Sequence, residues 1–306
     1  MTTPPASISG SHPPAQGIPE ACHPCVLNQA ASAARFAKLA PDQTARILAV
    51  ARKGLEKAKS TPILVQHIVR EVADAVIAER NESPDFDIYA RVKEASNSLA
   101  MEYAAQLRET IRSADSPLET ALHIAAAGNI IDFGAKDHGS LDVEEELRNL
   151  QKTPFARYDI EAFTRALANA STLLYLCDNC GEIVFDKLFI EELHREFPTL
   201  EIIAALREKP IINDATIEDA RRVGLGDAAT LVSSGSPYPG TILPETSPEF
   251  RNIYRDADII VSKGQGNFET LLPLSDPRVF FILRIKCEHM ARVSGVEKDR
   301  LVLMNG

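Results

Sequence analysis

Residues able to do chemistry gather in the second half of this 306-residue chain, each cluster following a short apolar run. Asp178-Asn179-Cys180-Gly181-Glu182 follows one run, Asn213-Asp214-Ala215-Thr216 comes soon after another, and Ser262-Lys263-Gly264-Gln265-Gly266-Asn267 follows a third. Asp178, Asn179 and Asp214 offer two carboxylates and an amide carbonyl. Such a hard-oxygen set suits Mg²⁺ or Mn²⁺ and leaves positions open for water and phosphate. In the third cluster Gly264 and Gly266 let backbone N–H groups approach an anion, a following helix favours negative charge, and Lys263 adds a point charge. A dication and an anion nest on one edge point to phosphoryl chemistry, with Asp178, Asp214 and Lys263 as the catalytic candidates. Each cluster also has a plainer reading. Asp178-Asn179 suits a turn or cap, Asn213 to Thr216 suits a helix start, and Lys263 alone suits a solvated charge. Joint placement at successive strand ends is what favours the site.

Such residues need a frame that brings distant segments to one edge. After Thr153-Pro154 short β-branched or leucine-rich runs alternate with helical ones, the pattern of βαβ units. Strands are expected at 172–177, 201–206, 230–233, 258–261 and 279–285, with a further candidate at 301–304. Helices are expected near 183–196, 217–223, 248–256 and 268–272. The prediction is a Rossmann-like α/β domain with a mostly parallel sheet, in which ligands bind beyond the carboxyl ends of the strands.

Upstream the spacing is helical. Val65, Val69, Val72 and Val76 recur behind Thr61 as cap and Pro62 as first helical residue, and a stripe runs from Ile88 through Val92, Ala95, Leu99, Tyr103 and Leu107 to Ile111 with Asp87 as cap. Ser116-Pro117-Leu118-Glu119 reads as a capping box. Five of the 19 prolines fall in the first 20 residues. The expected organisation is a disordered tail over 1–20, a helical domain over 21–152 and an α/β metal- and phosphate-binding domain over 153–306, with the active site in the crevice between the two domains.

A net charge of −10 without a dense basic run argues against nucleic acid and anionic lipid as partners. No run approaches the length of a membrane helix and no secretory signal opens the chain, so the protein is expected in the cytoplasm. Five cysteines make a poor disulfide framework. Cys22-x-x-Cys25 and Cys177-x-x-Cys180 admit a zinc or redox reading, although ordinary packing of thiols is favoured over both. His23 and His123 lack paired ligand spacing.

Three ordered motifs, Asp178-Asn179-Cys180-Gly181-Glu182 continuing to Asp186, Lys209-Pro210 continuing to Asn213-Asp214 and Asp219, and Ser262-Lys263-Gly264-Gln265-Gly266-Asn267-Phe268-Glu269, resemble the damage-control phosphatase family. Cys22-His23-Pro24-Cys25 and Gly128-Asn129-Ile130-Ile131-Asp132-Phe133 resemble marks of its prokaryotic branch. The resemblance implies an all-α part followed by an α/β domain, and divalent-metal-dependent hydrolysis of small phosphorylated metabolites, such as sugar phosphates or damaged phosphometabolites, with Mn²⁺, Mg²⁺, Co²⁺ or Ni²⁺. It implies a metal held by Asp178, Asn179 and Asp214. Lys263, Gly264 and Asn267 would bind the substrate phosphate, Glu182 would line the site, and Asn129 and Asp132 would reach in from the helical domain. Cys180 departs from the family's usual small residue, so it either crowds the metal or packs. Two other classes stay open: a carboxyl methyltransferase, as described for some eukaryotic relatives, and a phosphometabolite-binding protein without turnover. No glycine-rich loop after the first strand supports a nucleoside cofactor, which disfavours the former. Because Asp178, Asp214 and Lys263 read as strand-end loop positions, replacing them is expected to leave the fold intact. No motif marks the substrate's body or the oligomeric state.

Overall fold

A computed structural model describes residues 17–128 and 153–306. Helices α1 (His23–Phe36), α2 (Pro41–Lys57), α3 (Val65–Glu79), α4 (Ala90–Ser113) and α5 (Pro117–Ala127) come first. The strands are β1 (Phe155–Tyr158), β2 (Thr172–Leu176), β3 (Glu201–Leu206), β4 (Thr230–Ser233), β5 (Ile259–Lys263), β6 (Val279–Arg284) and β7 (Leu301–Asn305). Helices α6 (Ile160–Leu167), α7 (Glu182–Glu196), α8 (Ile217–Arg222), α9 (Pro248–Asp256), α10 (Gly264–Leu271) and α11 (Glu288–Ser294) connect them. The sheet order is β1-β7-β6-β5-β2-β3-β4. Only β6 and β7 pair antiparallel, so the expected α/β architecture with a mostly parallel sheet is what the chain adopts.

Central strands buried on both faces read as near-continuous apolar runs. In β2, Leu173 and Tyr175 point into a core shared with α4, α5 and α7, while Leu174 and Leu176 point into one shared with α9, α10 and α11. Helices α1 to α3 enclose a core of their own around Ala30, Ile47, Ile68 and Val72. Packing therefore divides within the helical half: α4 and α5 join the sheet. No helix among the described residues is long and apolar enough to cross a membrane.

Local differences from the sequence pattern have physical causes. Helix α3 starts at Val65 rather than after Thr61, and the Leu64 N–H donates to His67 Nδ1 at 2.9 Å. Ser116 precedes α5 but makes no side-chain cap bond, and Glu119 instead accepts from the Tyr158 hydroxyl at 2.5 Å, tying α5 to β1. On α4 the buried face carries Lys93, Ser96, Asn97 and Ala100, one position along from the apolar stripe over Val92, Ala95 and Leu99. Strand β5 continues through Lys263 and passes into α10 at Gly264 without a loop. Tail residues 1–16 and the candidates Asn129 and Asp132 lie outside the described residues.

Candidate active site

β5, β2 and β3 are neighbours in the sheet, so their carboxyl ends share one edge. Asp178 and Asn179 leave β2 there, and Asp214 lies in the loop after β3. Two backbone bonds zip these loops together: Ala215 N–H to the Asp178 carbonyl at 2.8 Å, and Cys180 N–H to the Asn213 carbonyl at 2.9 Å. An isolated antiparallel bridge pairs Asn179 with Asp214. The three expected metal ligands, 36 residues apart at the extremes of their numbering (214 − 178), are thus brought together. The Asn179 amide nitrogen donates to Asp178 Oδ2 at 2.8 Å and to Glu182 Oε1 at 2.7 Å.

Arg207 organises the opposite side. Its Nε donates to Asp214 Oδ2 at 2.7 Å, one Nη lies 3.7 Å from Asp178 Oδ1, and that nitrogen donates to Asn267 Oδ1 at 3.3 Å. The sequence displayed Arg207 after β3 but gave no sign that it would turn inward. Asp186, another residue outside the expected site, lies one turn along α7 from Glu182 and pairs with Lys263 Nζ at 2.5 Å while accepting from the Tyr175 hydroxyl at 2.7 Å. Lys263 also donates to the Ala125 carbonyl at 2.9 Å and lies 3.6 Å from Glu182 Oε2. It is fully buried. Asn267 is buried too, its amide nitrogen on the Lys263 and Cys177 carbonyls and its oxygen on Arg207 and Thr241. An exposed cation at this edge is Lys286, just past β6, whose charge reaches Asp178 and whose backbone N–H donates to Gln265 Oε1 at 3.3 Å.

The charge balance bears directly on a metal. Asp178, Glu182, Asp186 and Asp214 are buried, as are Arg207 and Lys263; among the described residues of this cluster four acidic side chains face two basic ones, a formal excess of two acids. Burial first, then the charges of Asp214 and Glu182, hold the Asp178 carboxyl well above its ordinary value. Burial likewise raises Asp214, although Arg207 opposes it, and lifts Asp186 to about 6 against the pull of Lys263. Burial alone would lower the Lys263 ammonium, but Asp186 and Glu182 outweigh it and raise it. An excess of acids among oxygen donors fits a divalent cation at Asp178, Asn179 and Asp214. Among the described residues no group of three or more His, Cys, Asp or Glu is arranged for a metal, which counts against the four-cysteine zinc reading. The proposed set is not of that kind, because an amide supplies one of its three oxygens.

These shifts predict a pH dependence. Asp186 makes the folded state bind more protons than the unfolded chain between 3.8, the ordinary value for Asp, and about 6, and the raised carboxyls of Asp178 and Asp214 act in the same direction. Stability of the metal-free protein should therefore rise as pH falls through that window. Melting temperatures of chelator-treated protein at pH 7 and pH 5 check this; a lower value at pH 5 contradicts it.

Gly264 is where the backbone approaches closest. Its φ is +75°, and a Cβ built there would meet Asp178 Oδ2 at 1.8 Å. Gly264→Ala should displace the Asp178 carboxylate, cost about 1–3 kcal/mol in backbone strain and weaken Mn²⁺ binding in a calorimetric titration. Wild-type affinity would contradict this. Cys180 packs: it is buried in the core shared with α7, and its neighbours are Lys93 and Asp219. Burial first, then Asp219, pushes its thiol up, so it is inert. All five cysteines are free thiols.

Known proteins place this arrangement. Residues 18–302 match the family model described as the Damage-control phosphatase ARMT1-like domain. A damage-control phosphatase of Pyrococcus horikoshii is 32% identical over 289 residues, covering 92% of this chain and 96% of that protein. A damage-control phosphatase of Archaeoglobus fulgidus is 34% identical over 267 residues, covering 85% and 87%. The crystal structure of a DUF89 family protein from Pyrococcus horikoshii superposes with a TM-score of 0.84 at 33% identity, covering 94% of this chain and 99% of that one. The matched span takes in both zipped loops and the strand-to-helix junction at Gly264, and the chain belongs to the damage-control phosphatase family.

Proposed function

We propose that the protein is a divalent-metal-dependent phosphatase hydrolysing phosphomonoesters of small metabolites. One observation carries the reading: Asp178, Asn179 and Asp214 meet across two backbone-zipped loops, in a largely buried cluster whose described acidic side chains outnumber its basic ones. The relatives named damage-control phosphatases support the same reaction class. When bound, a dication polarises a phosphoryl oxygen and lowers the pKa of a coordinated water.

The chain's own residues do the rest. Asp178, Asn179 and Asp214 would hold the metal, and Arg207 keeps the Asp214 carboxylate aimed while opposing the upward pull of burial on it. Glu182 fixes the Asn179 amide. Lys263 balances Glu182 and Asp186 from behind, and Asn267 ties the start of α10 to β2 through the Cys177 carbonyl. First-turn N–H groups of α10, at Gly264 to Gly266, have no intrahelical partners and favour the substrate's phosphate, with Lys286 as an accessible cation beside them.

Chelator-stripped protein, assayed for phosphate release against a panel of sugar and other metabolite phosphates with Mg²⁺, Mn²⁺, Co²⁺ and Ni²⁺ in turn, tests the proposal. Release restored by at least one metal is expected. No release with any metal would overturn it.

A further inference from the structure

Two buried polar side chains on α4, Asn97 and Lys93, lie outside the site described above, yet both reach the loops that carry the candidate metal ligands. Asn97 Oδ1 accepts from the Gly181 N–H at 2.6 Å. Gly181 has φ +86° and ψ −53° and caps the start of α7, between Asn179 and Glu182. A buried donor in that position costs stability unless it is paired, and Asn97 is its partner.

Lys93, one turn earlier, places Nζ 2.6 Å from Asp219 Oδ2 and 2.7 Å from Asp87 Oδ2. The same Asp219 oxygen accepts from the Thr216 N–H at 2.9 Å and hydroxyl at 2.7 Å, the capping box that starts α8 two residues after Asp214. Helix α4 therefore touches both flanks of the zipped unit, at Gly181 beyond Asp178-Asn179 and at Thr216–Asp219 beyond Asp214. Its polar residues at 93 and 97 stand where the neighbouring turns of the helix bury Ala100 and Leu107.

We propose that Asn97 and Lys93 are positioning residues that lock the two ligand-bearing loops from the helical side, so that α4 is part of the metal site's machinery. Loops at strand ends are ordinarily the mobile part of an α/β site, and groups that orient metal ligands from behind set affinity as well as geometry. The functional readout rests on the phosphatase reading; the tether itself does not.

The test compares three variants by Mn²⁺ titration at a temperature where circular dichroism shows each folded. Asn97→Leu keeps the branching at Cγ, at a larger volume, but removes the acceptor, Asn97→Asp keeps an acceptor, and Leu107→Ala loosens the same helix without touching either loop. Asn97→Leu should weaken Mn²⁺ binding by about 10–100-fold, Asn97→Asp should recover most of it, and Leu107→Ala should bind as wild type even with a lowered melting temperature. Wild-type affinity in Asn97→Leu, or an equal loss in Leu107→Ala, overturns the proposal. Should Asn97→Leu not fold, Asn97→Ser, too short to reach Gly181, takes its place. If the wild-type protein binds no Mn²⁺, the titration is repeated with Mg²⁺, Co²⁺ and Ni²⁺; if it binds none of them the phosphatase reading fails, and amide hydrogen exchange then judges the tether. Faster exchange at 178–182 and 213–216 in Asn97→Leu than in Leu107→Ala supports it, and equal exchange overturns it.

Discussion

Asp178→Asn and Asp214→Asn should each lower phosphate release by on the order of 10³-fold or more, about 4 kcal/mol of barrier. Asp178→Asn should in addition raise the melting temperature of the metal-free protein, a gain that Asp214→Asn forgoes because it also breaks the buried Arg207 pair. The two effects share one cause. Both acids are buried beside Glu182 and Asp186, and burial already holds their carboxyls above the ordinary range. An amide of the same shape removes a charge that is costly until a cation arrives, and removes the same charge that would bind it. Metal titration and thermal melting in chelator, measured on one preparation, separate this from misfolding. Loss of activity with a lower melting temperature in Asp178→Asn would mean that this acid supports the fold rather than a metal.

Lys263→Met should behave in the opposite way. The sequence placed Lys263 in a strand-end loop, on the substrate's phosphate, where its loss is harmless to the fold. In the structure it is the last residue of β5, fully buried, and paired with Asp186 and Glu182. Removing the ammonium leaves the buried Asp186 carboxylate without its cation, and breaking a buried pair from one side costs about 3–5 kcal/mol. Urea unfolding should show that loss, and adding Asp186→Asn should recover part of it. A variant with wild-type stability and only a weakened KM would return Lys263 to the role of a simple phosphate ligand.

The contrast shows what the sequence discloses. Strands β2, β3, β5 and β6 announce themselves because both their faces are buried, which forces continuous apolar runs. The edge strand β1 does not: Phe155–Tyr158 includes the exposed Ala156 and Arg157 and makes a strand only because β7 arrives beside it. Asp178, Asn179 and Asp214 were legible because open parallel sheets collect ligands at strand ends and these types are acids and amides. Arg207, Asp186 and Asn97 were not. Each sits on a helix or just past a strand with a spacing that suits a surface charge or polar face equally well, and only its burial reveals it. The apolar stripe on α4 misled for the same reason: the helix turns a polar edge inward, where loops need donors and acceptors, and leaves Val92 and Leu99 half-exposed.

The sheet order has a consequence for how the chain is made. β7 is the last strand in the sequence but sits inside the sheet, between β6 and β1, with four of its five residues buried. β1 has no other neighbour among the described strands, and about 140 residues separate the two. At roughly 5–20 residues per second, a ribosome finishes β1 some 7–30 s before it supplies the strand's sole partner. For that interval β1 stands without a partner, and once β6 is made it too is an open apolar edge until β7 follows within about 20 residues, so both are exposed to capture by a chaperone or a neighbouring chain.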